Sequence, residues 1–188
     1  MQSSVKKVLA ISGSTRKASS NLHLINAIGA LAADRMRITV FDGLMNIPPF
    51  NPDDDHEQPP AVIMAFRKQL QEADAILICT PEYAMGLPGT LKNAIDWTVS
   101  SCEFSNKPVA AITASSMGNL AHASLLGTLK VIEARMTEDT QLLISFIKTK
   151  VNSNGEITDA GTLTSVQRLI AALCELMESG KQESGMGL

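Results

Sequence analysis

The sequence predicts an α/β protein: a three-layer sandwich whose five-stranded parallel sheet runs in the order 2-1-3-4-5, with helices on both faces. Apolar runs and amphipathic stretches alternate along the chain through five repeats, the pattern of a doubly wound sheet. Three of the runs, beginning at Val8, Ile76 and Val109, are continuously apolar, as parallel strands covered on both faces must be. The length of 188 residues suits a single domain spanning 1–188 around one sizeable core.

The expected strands are VKKVLAI (Val5 to Ile11), RITVFDG (Arg37 to Gly43), DAILICT (Asp74 to Thr80), KPVAAITAS (Lys107 to Ser115) and QLLISFI (Gln141 to Ile147). RITVF includes polar positions, which suits an edge. QLLISFI should be the other edge, and its apolar character has no explanation in the sequence. Helix faces follow from spacings of three and four. They are Leu24, Ile28 and Leu31; Val62, Phe66 and Leu70; Leu91, Ile95 and Thr98; Leu125, Leu129 and Ile132; and Val166, Leu169, Ile170 and Leu173. Pro88 stands where the third helix should begin, a favoured place for proline. Asn154-Gly155 marks a tight turn or small hairpin, and the polar, glycine-rich stretch 179–188 reads as a flexible tail.

Composition excludes several classes. Apolar residues make up 45% and charged residues 19%, with a net charge of −3. That is a globular composition without the basic surplus a nucleic-acid binder needs. No stretch approaches the roughly 18 apolar residues of a membrane span, and no apolar leader precedes Gly13, so a cytoplasmic location is expected. Cys79, Cys102 and Cys174 show neither disulfide nor zinc spacing, and Cys79 reads as a small buried hydrophobe. His23, His56 and His122 also lack ligand spacing. The acidic run DDDHE at Asp53 to Glu57 reads as a solvated loop, so no metal is expected.

In a 2-1-3-4-5 sheet a ligand binds beyond the strand ends where the order reverses, so the loops after Ile11, Thr80 and Ser115 matter most. After the first strand comes SGSTRKASSN (Ser12 to Asn21). Ser14, Ser19, Ser20 and Asn21 offer donors, Gly13 admits close backbone approach, and Arg16 adds a planar charged fork. A helix beginning near Ser20 points its free amides at the same place. Taken singly, Ser19 or Ser20 has a cap as its alternative role; taken together, the set points to an anion site. The loop contains neither GxxxxGK[ST] nor GxGxxG, and no cysteine nucleophile. It should hold a phosphate without attacking it.

The second loop, TPEYAMGLPGTLKNAIDW (Thr80 to Trp97), carries the chain's only tyrosine, Tyr83. Exposed amides around Glu82 to Gly86 would suit the edge of a flat polar ring; the alternative is an ordinary turn with Tyr83 covering a helix. The third loop, ASSMGNLAH (Ala114 to His122), is small and polar and would line the ring's far edge through Ser115 and Ser116.

These residues resemble the NAD(P)H-dependent FMN reductases, a family with the flavodoxin-like fold that includes quinone, azo-dye and chromate reductases. Its first loop, GSxRxxSxN, is matched by Gly13, Ser14, Arg16, Ser19 and Asn21; its second, close to PEYNxSxPGxLKNAIDW, by Pro81 to Tyr83 and by Pro88 to Trp97 except Thr90. IPPFNPDDD is similar as well. The resemblance implies that Ser14, Arg16, Ser19 and Asn21 hold the FMN phosphate, and that Pro81, Glu82 and Tyr83 run along the isoalloxazine ring. It also implies NADPH or NADH as electron donor, a small-molecule acceptor, and a homodimer or homotetramer. Ala84 and Gly86 stand where the family has Asn and Ser, Ser116-Met117-Gly118-Asn119 replaces a Gly-Gly pair, and Gly127 falls about where the family has an Arg. Flavin carries the redox chemistry itself, so no catalytic side chain is expected.

The alternative function is a flavodoxin-type electron carrier. Such carriers are usually strongly acidic and bracket the flavin with aromatics. Here the charge is −3, aromatics are 4%, and Tyr83 alone is well placed, leaving one ring face open to a nicotinamide. A phosphoacceptor domain would need an acidic pair after the first strand, where Ile11-Ser12-Gly13 supplies none.

Overall fold

A computed structural model describes residues 5–56 and 59–183. Five strands form one sheet: β1 (Lys6–Ser12), β2 (Met36–Phe41), β3 (Ala75–Thr80), β4 (Val109–Ala114) and β5 (Gln141–Ile144). Their order is β2-β1-β3-β4-β5 and every pairing is parallel. The helices are α1 (Ser20–Leu31), α2 (Ala61–Glu72), α3 (Gly89–Asp96), α4 (Asn119–Val131) and α5 (Ala160–Glu183). This is the doubly wound arrangement that the alternating pattern predicts, and the flavodoxin-like fold that the resemblance implies.

Side chains alternate across the sheet, and each face has its own core. Val8, Ala10, Leu77, Cys79 and Ile112 pack beneath α1 and α5. Leu9, Ile11, Ile76, Ile78 and Ala111 pack against α2, α3 and α4 on the other side. All six residues of β3 and all six of β4 are buried, which is why those runs contain no charge. At roughly 25 cal/mol per Å² of apolar surface removed from water, these two layers dominate the stability of the fold.

Three departures from the sequence expectations have physical causes. The fifth strand stops at Ile144 rather than Ile147, because Phe146 adopts a left-handed backbone (φ 56°) and starts a 3-10 turn over Ile147–Thr149. The excess apolar character of QLLISFI is thereby divided: Ile147 is buried in the core while Phe146 is exposed. Within the acidic run, Asp55 is not simply solvated. It pairs with Arg67 at 2.6 Å and accepts from Ser100 Oγ at 2.6 Å. Burial pushes its carboxyl up, but the bonds from Ser100 and Arg67 and the Arg67 charge outweigh that and hold it below its ordinary range. Finally, α3 ends at Asp96, so Thr98 is buried in the turn after the helix.

Pro88 caps α3, and the Asn154-Gly155 hairpin forms, with Val151 bridged antiparallel to Ile157. The tail expected from Ser179 is still helical to Glu183; the remainder lies outside the described residues.

Candidate functional site

The strand order reverses between β1 and β3, and the loops leaving their carboxyl ends open a cavity of about 550 Å³. That falls within the usual range for a small-molecule site. Gly13 makes the first wall possible. Its N–H donates to Cys79 O at 2.8 Å, and a Cβ there would stand 2.2 Å from Thr80 Oγ1. Only glycine lets the β1–α1 loop lie flat on β3. Ser14 then turns into the cavity and is largely buried.

Ser19 caps α1, its Oγ accepting from Leu22 N at 3.1 Å. The capping role and a place in the cavity wall are compatible, because the hydroxyl proton remains free to donate. The amides of Ser20 and Asn21 lie in the first helical turn, where they lack intrahelical partners. Arg16 is exposed at the same wall, and none of the ion pairs among the described residues uses it. Asn21 differs from the rest. Its Nδ2 donates to Ala114 O at 3.2 Å and its Oδ1 accepts from the Cys79 thiol at 3.2 Å. Burial pushes that thiol far above its ordinary range, so it remains a protonated donor. The Asn21 side chain therefore ties α1 to the ends of β3 and β4, leaving its main-chain N–H for a ligand.

The β3–α3 loop is a two-residue hairpin. Tyr83 and Gly86 exchange both main-chain bonds at 3.0 Å, and Ala84 (φ 48°) and Met85 (φ 64°) form its left-handed tip. Fewer amides are free than the sequence suggests. Glu82 N–H donates to Ser115 Oγ at 3.1 Å, and those of Tyr83 and Gly86 donate to each other's carbonyls. The Glu82 carboxylate accepts from Leu120 N at 3.0 Å and Ala121 N at 2.9 Å. It neutralises the positive end of α4 and clamps the second loop to the third. Gly118 permits this geometry with φ +98°.

Pro81, Glu82, Tyr83, Ser115 and Ser116 line the same cavity as Ser14, Arg16, Ser19, Ser20 and Asn21. Ala84 and Gly86 do not line it; they shape the hairpin that holds Tyr83 at its mouth. Tyr83 is 45% exposed, so it belongs to the entrance and not to the core. Near the third loop, His122 Nδ1 lies 3.0 Å from Thr113 Oγ1, and burial lowers its pKa. It is a neutral packing residue outside the cavity. Among the described residues no group of His, Cys, Asp or Glu could hold a metal.

A family model described as NADPH-dependent FMN reductase matches residues 6–149. The chain belongs to that family. It is 31% identical over 183 residues to a quinone reductase of Escherichia coli (strain K12), covering 93% of this chain and 97% of that protein. It is 34% identical to an NAD(P)H-dependent FMN reductase of Pseudomonas aeruginosa, covering 89% and 92%. Among solved structures, the flavoenzyme NAD(P)H:(acceptor) oxidoreductase FerB from Paracoccus denitrificans superimposes with a TM-score of 0.80 at 26% identity, covering 93% of this chain and 98% of that one. This protein is accordingly an FMN-dependent NAD(P)H oxidoreductase, and the flavodoxin-type carrier is the less favoured alternative.

As an FMN reductase, the chain has a donor set that fits the cofactor. Hydroxyls, the first-turn amides of α1 and the Arg16 guanidinium line one cavity together with the β3–α3 and β4–α4 loops. What the sequence missed is the whole fourth wall, formed by Phe146 to Thr149 and Val151 to Ser153. Phe146, 60% exposed, is a second aromatic beside Tyr83 at this FMN reductase's cavity. Reading QLLISFI as unbroken strand concealed it.

Proposed function

We propose that the cavity holds FMN with its phosphate at the β1–α1 loop, and that a reduced nicotinamide and a small quinone-like acceptor reach the ring in turn. FMN, when bound, accepts a hydride from NAD(P)H and passes electrons on. The protein's part is binding and orientation. Ser14, Arg16, Ser19 and Ser20 meet the phosphate, with Asn21 contributing its main-chain N–H. Pro81, Glu82 and Tyr83 run along the ring on the support of the Ala84–Gly86 hairpin, and Ser115 and Ser116 stand at its far edge. The observation that carries this reading is that one cavity is lined both by the anion-suited residues at the α1 terminus and by the β3–α3 and β4–α4 loops. Glu82 is the cavity's carboxylate, and it is spent on α4, so no lining acid is poised for proton transfer.

The acceptor class follows from the rim, where Tyr83 and Phe146 offer apolar surface to a planar ring. The same rim supports a homodimer or homotetramer. Met85, Met117, Leu120 and Phe146 are 72%, 58%, 49% and 60% exposed on the loops and the first turn of α4 that are bonded to one another, and a second copy would cover them. A monomer by light scattering at micromolar protein would remove that part. The three unpaired cysteines suit a reducing, cytoplasmic setting, and no helix among the described residues is long and apolar enough to cross a membrane.

Binding of FMN and of riboflavin, which has the same ring without the phosphate, tests the site. A hydrogen bond to a charged group contributes about 1.5–3 kcal/mol, roughly tenfold to a hundredfold in affinity. Arg16→Ala should weaken FMN by about that factor and leave riboflavin's weaker binding unchanged. Equal losses for both flavins would mean that Arg16 acts on the ring or the fold, and no loss for either would reduce the loop to a capped turn.

A further inference from the structure

We propose that Lys148 is a second phosphate-recognition residue, acting on the flavin phosphate from the segment after β5 that lines the same cavity as Arg16; this rests on the FMN reading above. The starting point is charge. A phosphate monoester carries about −1.5 to −2 charges at neutral pH. Arg16 supplies one positive charge and the α1 terminus about half of one, so the β1–α1 loop alone leaves the anion undercompensated. Lys148 lines the same cavity, and none of the ion pairs among the described residues involves it. The cavity's carboxylate, Glu82, is already held by the amides of Leu120 and Ala121 and does not compete for the lysine.

The segment that presents Lys148 is well anchored. Phe146 N donates to Ser116 O and Ile147 N to Ser115 O, both at 3.1 Å, and Lys150 N closes the turn onto Ile147 O at 3.0 Å. Ile147 is buried beneath it. The following hairpin leans on α1 near its first turn, since a Cβ on Gly155 would lie 3.5 Å from His23 O. Ile147 and Val151, on either side of Lys148, also join the same buried core as Leu24 and Ile25 of α1, the helix whose terminus forms the anion site. A lysine on a flexible stem suits a point-charge contact with phosphate, while Arg16 supplies the directional fork.

Fluorescence titration of FMN and riboflavin into flavin-free wild type, Lys148→Gln, Lys148→Arg and Arg16→Ala tests the proposal. Lys148→Gln should weaken FMN roughly three- to tenfold at low salt, between what an exposed ion pair and a charged hydrogen bond supply. Riboflavin should be unaffected, Lys148→Arg should retain most of the affinity, and added salt should narrow the gap. Equal losses for both flavins would make Lys148 a wall-packing residue and overturn the proposal. Unchanged FMN affinity would overturn it too, and a KM raised for NADPH but not for NADH would then assign Lys148 to the donor. If Arg16→Ala loses FMN selectively while Lys148→Gln does not, only the present proposal falls. If neither does, the phosphate cradle falls with it.

Discussion

Asn93 lies inside the motif that most strongly marks the family, yet its side chain does not line the cavity. Its Oδ1 accepts from Phe50 N at 2.7 Å and its Nδ2 donates to Pro48 O at 2.9 Å. Trp97 Nε1 reaches the same carbonyl at 2.9 Å, and the Trp97 ring stands edge-on to Phe50. The two matching stretches, IPPFNPDDD and KNAIDW, thus lock each other and hold α3 in place. Asn93→Ala strands the Phe50 N–H and leaves Pro48 O to Trp97 Nε1 alone, and it should cost about 1–3 kcal/mol of stability with little change in flavin affinity. Tyr83→Ala should do the reverse: a change of under about 0.5 kcal/mol, as for an exposed side chain, with clearly altered quenching of flavin fluorescence. Melting curves and flavin titrations on both variants check the pair. A large stability loss at Tyr83 with unaltered quenching would return it to a packing role.

At the scale of elements, the hairpin from Tyr83 to Gly86 places two non-glycine residues at positive φ, a conformation that costs about 1–2 kcal/mol per residue in L-amino acids. Asparagine tolerates it better, through its short polar side chain. Ala84→Asn should therefore raise stability by about 0.5–1 kcal/mol, read as a higher Tm, without weakening FMN; a lower Tm would show that the turn needs the alanine methyl. Elements also mark the boundary of what sequence alone conveys. The anion loop and the β3–α3 loop are contiguous stretches, so Ser14 to Asn21 and Pro81 to Tyr83 were legible without coordinates. The fourth wall was not. Whether Phe146 continues β5 or leaves it depends on bonds from Phe146 and Ile147 to Ser116 and Ser115, thirty or so residues away, and no local pattern encodes them. Asn21 shows the converse limit. Its identity fits an anion site, but only the packed structure reveals that its amide serves Ala114 and Cys79.

For the whole molecule, the alternation of strands and helices was readable because each buried strand had to be apolar on both faces and each helix on one; 2-1-3-4-5 is a common order for five such strands, and it is the order observed. That order brings the β1, β3, β4 and β5 loops to one end, where they line one cavity with Arg16, Lys148, Tyr83 and Phe146 among its walls. A carrier needs only to hold its flavin, whereas a reductase must also admit a nicotinamide to one ring face; Tyr83 and Phe146 both line this cavity and are 45% and 60% exposed. The most direct measurement is anaerobic: FMN-loaded protein is mixed with NADPH or NADH, the visible flavin band is followed, and a quinone is then added. The account predicts that the band bleaches, that the quinone restores it, and that steady-state NAD(P)H oxidation runs well above that of free FMN. A protein that binds FMN yet oxidises NAD(P)H no faster than the free flavin would contradict it.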